Sequence, residues 1–453
     1  MKKMFKENIS VGHFFAGVLV FVVISGFCLL KEYPCILPLL LLFFSLHLFF
    51  IRKASPRLFL NLGLLIVFVV AMAHSVVIWG EWSPYYIPAA SIGLLTMILF
   101  NDLELMFIMS LISSWVVTLI VGGDNGMLVT FFLGSLLGAY TIQNARRIGT
   151  IINAGLSVAF IQILCAVILK PEMAFFSPVS FLQYYIQPFV INGFVSAGIT
   201  MISLKVFEKL FDVVTNFTLL ELSDFNQPLL KQMILEAPGT YHHSLVVGNL
   251  SEAAADAIQA DSLLTRVGAY YHDIGKMDKA EYFTENQGVS DNKHDDLEAS
   301  VSKLVIINHV KNGIELAKKY RLNQKIINFI PQHHGTSLTF YFYQKALEDA
   351  DSSSKVDEMN YRYPGPKPQT KETAIVLLAD SVEAAARSLE DPAPKKIEEL
   401  VRKIINNKFI DGQLDECNLT LKEIDQIAST FTKVLSATHH SRVKYPSKKG
   451  RGE

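Results

Sequence analysis

The chain has 453 residues, too long for one ordinary domain, and 51% of them are hydrophobic against 18% charged, a balance unlike that of a typical soluble protein. Its 41 basic and 42 acidic residues leave a net charge of −1, which offers no cationic groove to a nucleic acid. The four cysteines, Cys28, Cys35, Cys165 and Cys417, show no CxxC spacing. A disulfide framework and a zinc ribbon are therefore disfavoured, and any metal chemistry must come from histidine and carboxylate.

Apolar runs lie at 10–30, 36–51, 58–79, 86–100, 104–121, 127–143, 151–169 and 184–206. Several approach the roughly 20 residues that cross a bilayer. The first run is too long for a signal peptide and lacks a small-residue cleavage site, so it is read as a span. The stretch 86–121 reads as one long helix or as two spans broken at Asn101-Asp102, and loop charge decides between them. With the break, one set of ends carries Lys2, Lys3, Lys6, Arg52, Lys53, Arg57, Arg146, Arg147, Lys205 and Lys209, and the other only Lys31 and Lys170. Cationic loops stay in the cytoplasm, so this asymmetry predicts eight spans in the cytoplasmic (inner) membrane, with the N-terminus and the C-terminal half inside. His13, His47 and His74 fall within runs without a visible partner and are read as packing residues rather than ligands.

After Phe211 charges recur every few residues and helical periodicity takes over. The predicted organisation is a membrane domain over 1–211, a linker helix over 212–236 interrupted at Pro228, a second domain over 237–446 and a basic tail over 447–453. Thr240 is a plausible N-cap for a helix from Tyr241 to about Ala260. Leu263 to Ile274 reads as a helix stopped by Gly275 at its C′ position. Further helices are predicted at Ala299–Tyr320, Asn323–His334 (ended by Gly335), Thr370–Leu389, Pro392–Phe409 and Thr420–Ser436. Strand signals are weak throughout, so the expected fold is all-α. Asp349 to Pro368 is polar, then rigid in YPGPKP, and reads as a solvated loop or as a wall of a site.

Nine of the twelve histidines fall between Tyr241 and His440. His243, His272, Asp273, His309, His333, His334 and Asp380 come from five predicted helices or helix ends, the arrangement by which a bundle builds a metal site in its core. Imidazole nitrogen suits iron, manganese, nickel or zinc, and a carboxylate such as Asp273 can give one oxygen to each of two cations. Each has a plainer reading. His333-His334 could answer a helix C-terminus, His309 could be a satisfied core residue, and Asp380 is an acid on an apolar helix for which a cation is the natural partner. His294, in KHDDLEAS, is polar and loop-like in context and reads as a ligand, a substrate contact or neither. Lys276 reads as a cation for phosphate or as a helix-end partner. His439-His440 read as solvated.

The strings APGTYHHSLVVGNL, GAYYHDIGKM, HDDLEAS, INHVKNGIELAKKY, QHHGTSL, YPGPKPQTKE and LADSVEAAARSL, with DGQLDECNLTLKEID after them, make residues 237–446 resemble the HD domain of bacterial seven-transmembrane HD phosphodiesterases. The hydrophobic half resembles that family's membrane domain. The resemblance implies a di-metal centre of manganese or iron. One ion would be held by His243, His272, Asp273 and Asp380, the other by Asp273, His309, His333 and His334. It implies hydrolysis of cyclic di-AMP to linear pApA by a metal-bridged hydroxide, with Lys276, His294 and Tyr363 as candidate substrate contacts. The partners implied are a cyclic dinucleotide and the lipid bilayer, with no nucleic acid and with self-association open. Two departures stand out: only Lys31 to Cys35 separates the first two spans, where the family usually carries a large external domain, and Lys293 stands where a proline often precedes HDD. Alternatives are hydrolysis of cyclic di-GMP or another nucleotide, although no GYP string follows QHH, and a membrane receptor that binds a nucleotide without cleaving it.

Overall fold

The computed structural model describes residues 44–45, 55–79, 82–287, 293–295, 297–349, 356–389 and 393–438. The runs at 10–30 and 36–51, along with His13, His47, His439 and His440, lie wholly or almost wholly outside them. The chain forms two compact units that divide between Phe217 and Thr218.

In the first unit each remaining apolar run becomes a helix: α1 (Pro56–His74), α2 (Ala90–Phe100), α3 (Leu103–Val121), α4 (Asn125–Thr141), α5 (Ile148–Leu169) and α6 (Gln187–Phe211). The stretch 86–121 is broken where the charge pattern required it. Asn101 closes α2 in the left-handed conformation, with φ of 48°, which asparagine tolerates better than most residues. Asp102 then caps α3, its carboxylate accepting from the backbone N–H of Glu104 and Leu105 at 3.0 Å each. Among the described residues, four helical stretches are long and apolar enough to cross a bilayer: Pro56–Val77, Leu103–Val121, Ile148–Leu169 and Pro178–Phe211. The apolar helices Pro84–Phe100 and Asn125–Thr141 are shorter. The helices approach closely where side chains are missing. A Cβ on Gly155 of α5 would stand 2.6 Å from the Gly193 carbonyl oxygen of α6, and one on Gly193 would stand 2.3 Å from that of Gly155. Small residues are the usual means of such contact within a membrane, where hydrophobic burial supplies no drive for helix association.

The second unit is helical throughout its described length, with one isolated bridge between Leu338 and Arg362. Its helices are α7 (Pro228–Glu236), α8 (Pro238–Ala257), α9 (Ser262–Tyr271), α10 (Ala299–Lys319), α11 (Phe340–Glu348), α12 (Lys371–Ala386), α13 (Pro394–Ile410) and α14 (Leu421–Thr438), with a 3-10 segment at Ile274–Tyr282. α12 is the axis of the core. Its residues from Thr373 to Asp380 are all buried, and Thr370 caps it in a reciprocal box with Thr373. A helix hydrophobic all round belongs in an interior.

Three local expectations are corrected. Thr240 is not an N-cap, because α8 already starts at Pro238; its hydroxyl instead meets Glu285 and Asn286. Asn323 to His334 is two short helices, Gln324–Ile327 and Phe329–Gln332, although Gly335 does take the left-handed conformation (φ 54°) expected of a terminator. Gly275 does not end α9 as a left-handed residue. It lies inside the 3-10 segment, where an added Cβ would stand 1.9 Å from the His309 carbonyl oxygen and 2.5 Å from the Gly313 nitrogen. Its missing side chain lets α10 pack directly on the backbone that follows Asp273.

The loop charges and the break at Asn101 predict opposite sides of the membrane for two exposed positions. Gly149 has open space around its Cβ, and Asn125 begins α4. In a cysteine-free background, Asn125→Cys is expected to react with an impermeant maleimide in intact cells and Gly149→Cys only after permeabilisation. The reverse pattern would overturn the cytoplasmic placement of the Arg146-Arg147 loop.

Candidate metal centre

Five segments deliver the predicted ligands to one buried place. α8 brings His243, the end of α9 brings His272 and Asp273, α10 brings His309, the turn after Phe329–Gln332 brings His333 and His334, and α12 brings Asp380. Two sets form. In each, the ligand atoms lie within 4.8 Å of one another: His243, His272, Asp273 and Asp380 in one, and Asp273, His309, His333 and His334 in the other. His242, next to His243 in the chain, is exposed.

Asp273 divides itself between the sets. Its Oδ2 lies 3.2 Å from His272 Nε2 and 3.6 Å from His243 Nε2, and its Oδ1 lies 3.4 Å from both His309 Nε2 and His333 Nε2. Asp380 Oδ1 is 3.0 Å from His243 Nε2 and 3.9 Å from His272 Nε2, while its Oδ2 is 3.8 Å from His334 Nδ1. Two atoms held about 2.1 Å from one ion stand ~3.0 Å apart at a right angle and ~4.2 Å apart in trans. The observed separations fall within that span.

The imidazoles are aimed by what their other nitrogens do. Nδ1 of His272 donates to the Ala269 carbonyl (2.6 Å), that of His309 to Ile306 (2.5 Å) and that of His333 to Ile330 (2.6 Å). Each uses the carbonyl three residues back in its own chain, so the ring turns its Nε2 inward. His243 uses a carboxylate instead, its Nδ1 lying 2.7 Å from Glu383 Oε2, and Glu383 Oε1 in turn accepts from Arg387 Nε at 2.6 Å. Such outer partners fix ring orientation and raise ligand basicity at metal sites.

The cluster fits cations better than it fits itself. His272 Nε2, His309 Nε2, His333 Nε2 and both oxygens of Asp273 are buried without a hydrogen-bond partner. Leaving polar atoms so is costly unless something else satisfies them. Burial pushes His309 down to about 4 and also lowers His333 and His334, which keeps these rings neutral as ligation requires. The other set behaves oppositely. Burial opposes charge on His272, but the Asp273 carboxylate beside it outweighs burial and lifts it to about 10. His243 rises in the same way, through Asp380 and Glu383. That half of the site is short of positive charge, which a divalent ion would supply.

The remaining predicted residues divide. Lys276 reaches the site: its Nζ is 2.6 Å from Asp273 Oδ2 and 2.9 Å from Glu285 Oε1. Tyr363 stacks on His334, with ring centroids 4.1 Å apart and planes 22° apart, so the end of the Asp349–Pro368 stretch is a wall of the site. His294 joins neither ligand set. It lies in a turn, as expected, but is buried; its Nε2 donates to the Tyr282 carbonyl (2.8 Å) and its ring packs on Tyr282 and Phe342, so the expectation of polar surroundings is corrected. Sequence reasoning missed Glu383 and Glu285. Glu383 had the signal already applied to Asp380, an acid on an apolar helix, three residues further along.

The geometry defines a helical domain with a paired His/Asp cation site, preceded by an apolar helical unit. The family described as 7TM receptor with intracellular HD hydrolase matches residues 32–215, and the HD domain family matches residues 240–385. The chain is 44% identical over 329 residues to the cyclic-di-AMP phosphodiesterase PgpH of Bacillus subtilis, an alignment covering 72% of this chain and 44% of the relative. It is 48% identical over 246 residues to PgpH of Listeria monocytogenes, covering 54% and 34% respectively. A crystal structure of the Listeria PgpH HD domain in complex with cyclic di-AMP is 49% identical and covers 48% of this chain and 100% of that one, with a TM-score of 0.46. The chain belongs to the seven-transmembrane HD-domain family, and it spans less than half the length of these curated relatives.

Glu383 holds His243 from behind without touching the ligand cavity. Glu383→Ala is expected to lower affinity for divalent metal by about 10–100-fold, read by competition with a chelating dye. An unchanged affinity would show that His243 needs no partner.

Proposed function

We propose that this chain is a membrane-anchored, two-cation phosphodiesterase that hydrolyses cyclic di-AMP to linear pApA on the cytoplasmic side of the membrane. The observation that carries the reading is the division of Asp273, one oxygen to each of two complete ligand sets. His243, His272 and Asp380 would hold one ion with Asp273, and His309, His333 and His334 the other. Mixed imidazole and carboxylate donors suit manganese or iron. The substrate is taken from the two PgpH relatives, whose names state a cyclic-di-AMP phosphodiesterase.

When bound, two such cations, held by these residues, would supply Lewis acidity and positive charge to a phosphodiester. The protein's own share is positioning and charge. Carbonyl-anchored imidazoles need no reorganisation as the reaction proceeds, the source of most electrostatic catalysis. Lys276, tethered by Asp273 and Glu285, places a fixed positive charge beside the shared carboxylate. Tyr363 offers an aromatic edge, and burial raises its phenol pKa, so it stays a protonated donor. Attack of a water oxygen on phosphorus opposite the 3′-oxygen breaks that P–O bond. The 3′-oxygen leaves with a proton, and the phosphate stays on the 5′ side. Opening one linkage of the ring in this way yields pApA.

The full chain in detergent, loaded with manganese, is expected to convert cyclic di-AMP to pApA and to lose that activity on chelation. Cyclic di-GMP and ATP serve as parallel substrates. No turnover of either cyclic dinucleotide by metal-loaded protein would defeat the proposal, and preference for cyclic di-GMP would redirect it. Asp273→Ala is expected to bind neither ion by elemental analysis, whereas full retained stoichiometry would contradict a shared carboxylate.

A further inference from the structure

Beside the metal centre stands a lysine that forms no ion pair among the described residues. Lys408, near the end of α13, donates through Nζ to the Ser337 hydroxyl at 2.7 Å. Among the described residues, no carboxylate oxygen lies within ion-pair distance of it. Its neighbours differ. Arg362 pairs with Asp411 and Glu358, Lys367 with Asp415, and Lys276 with Asp273 and Glu285.

The position of Ser337 ties this ammonium to the site. Its N–H donates to the His334 carbonyl at 3.0 Å, and its own carbonyl accepts from Tyr363 N–H at 3.0 Å. His334 and Tyr363 are the ligand and the ring stacked on it. Lys408 therefore stands one hydroxyl away from the wall that carries His334. Burial lowers its pKa, and the carboxylate acting most strongly to restore it is Asp380. Asp380 is also a member of the first ligand set, so a cation bound there would claim its charge. A half-buried ammonium with one neutral hydrogen bond is an unsatisfied group, and an anionic ligand would satisfy it.

Resting on the phosphodiesterase reading above, we propose that Lys408 is a specificity residue that binds the second phosphate of a cyclic dinucleotide while the first lies at the metal pair. Such a substrate carries two phosphodiesters, and only one is at the reacting centre at a time. Lysine, a compact charge on a flexible stem, suits a phosphate approached from one side. Lys276 is paired with two carboxylates, whereas Lys408 feels Asp380 and Asp411 only from beyond ion-pair distance.

The test compares cyclic di-AMP with bis(4-nitrophenyl) phosphate, a diester with one phosphate, using the metal-loaded full chain. In Lys408→Gln the ratio of kcat/KM for cyclic di-AMP to that for the single-phosphate diester is expected to fall about 10–100-fold, mainly through KM. Binding of a non-hydrolysable phosphorothioate analogue of cyclic di-AMP is expected to weaken by a similar factor in calorimetry. Lys408→Arg, which keeps the charge, is expected to recover most of the loss. An unchanged ratio, a parallel fall for both diesters together with lost metal, or a Lys408→Arg as impaired as Lys408→Gln would each overturn the proposal. A wild-type chain that cleaves the single-phosphate diester but no cyclic dinucleotide would instead sink the underlying activity, and this assignment with it.

Discussion

One carboxylate governs the second unit. Asp273 is fully buried, its two oxygens face different histidine pairs, and none of the surrounding side chains gives those oxygens a hydrogen bond of normal geometry. Everything around it is arranged so that this burial is tolerable. Lys276 approaches from one side, and the Nε2 atoms of His272, His309 and His333 are turned inward by carbonyl anchors on their far nitrogens. A protein without use for cations there would do better with apolar side chains of the same volume. The unsatisfied state of these atoms is what connects an ordinary helical bundle to metal chemistry.

The HDIGK string gains a physical reading from this arrangement. His272 and Asp273 come off the end of α9, one ligand exclusive to a set and one shared. Gly275 has no side chain because the α10 backbone at His309 and Gly313 occupies that space, so the same contact that requires glycine also sets how far His309 stands from Asp273. Lys276 then turns back onto Asp273. Behind it, Glu285 is tied to Thr240 and so to the start of the helix that carries His243. The motif is a local sequence, but its constraints run through three helices.

The first unit follows a different rule. Its helices are apolar throughout, so little in composition sets one face apart from another. What fixes them is where side chains are absent, as at Gly155 and Gly193, and where the chain breaks, as at Asn101-Asp102. The break at Asn101-Asp102 was visible in the sequence as an interruption, whereas Gly155 and Gly193 lie inside unbroken apolar helices and only their contact reveals their part.

By itself the sequence determined the fold class and the break between α2 and α3, and it singled out the seven residues that the structure gathers into two clusters. These rest on residue type and spacing: imidazoles and acids on apolar helices have few uses, and periodicity places them. His243 rather than His242 followed from the resemblance, and the structure buries the first and exposes the second. What only the tertiary structure decided were pairings between segments far apart in the chain. Glu383 behind His243, Glu285 behind Lys276, the stacking of Tyr363 on His334 and the Ser337 partner of Lys408 each join residues from different elements. Periodicity records which face of a helix is buried, but not what lies opposite it. For the same reason His294, polar in its local context, proved to be an interior residue, and Gly275, expected to terminate a helix, proved to be a contact between two backbones.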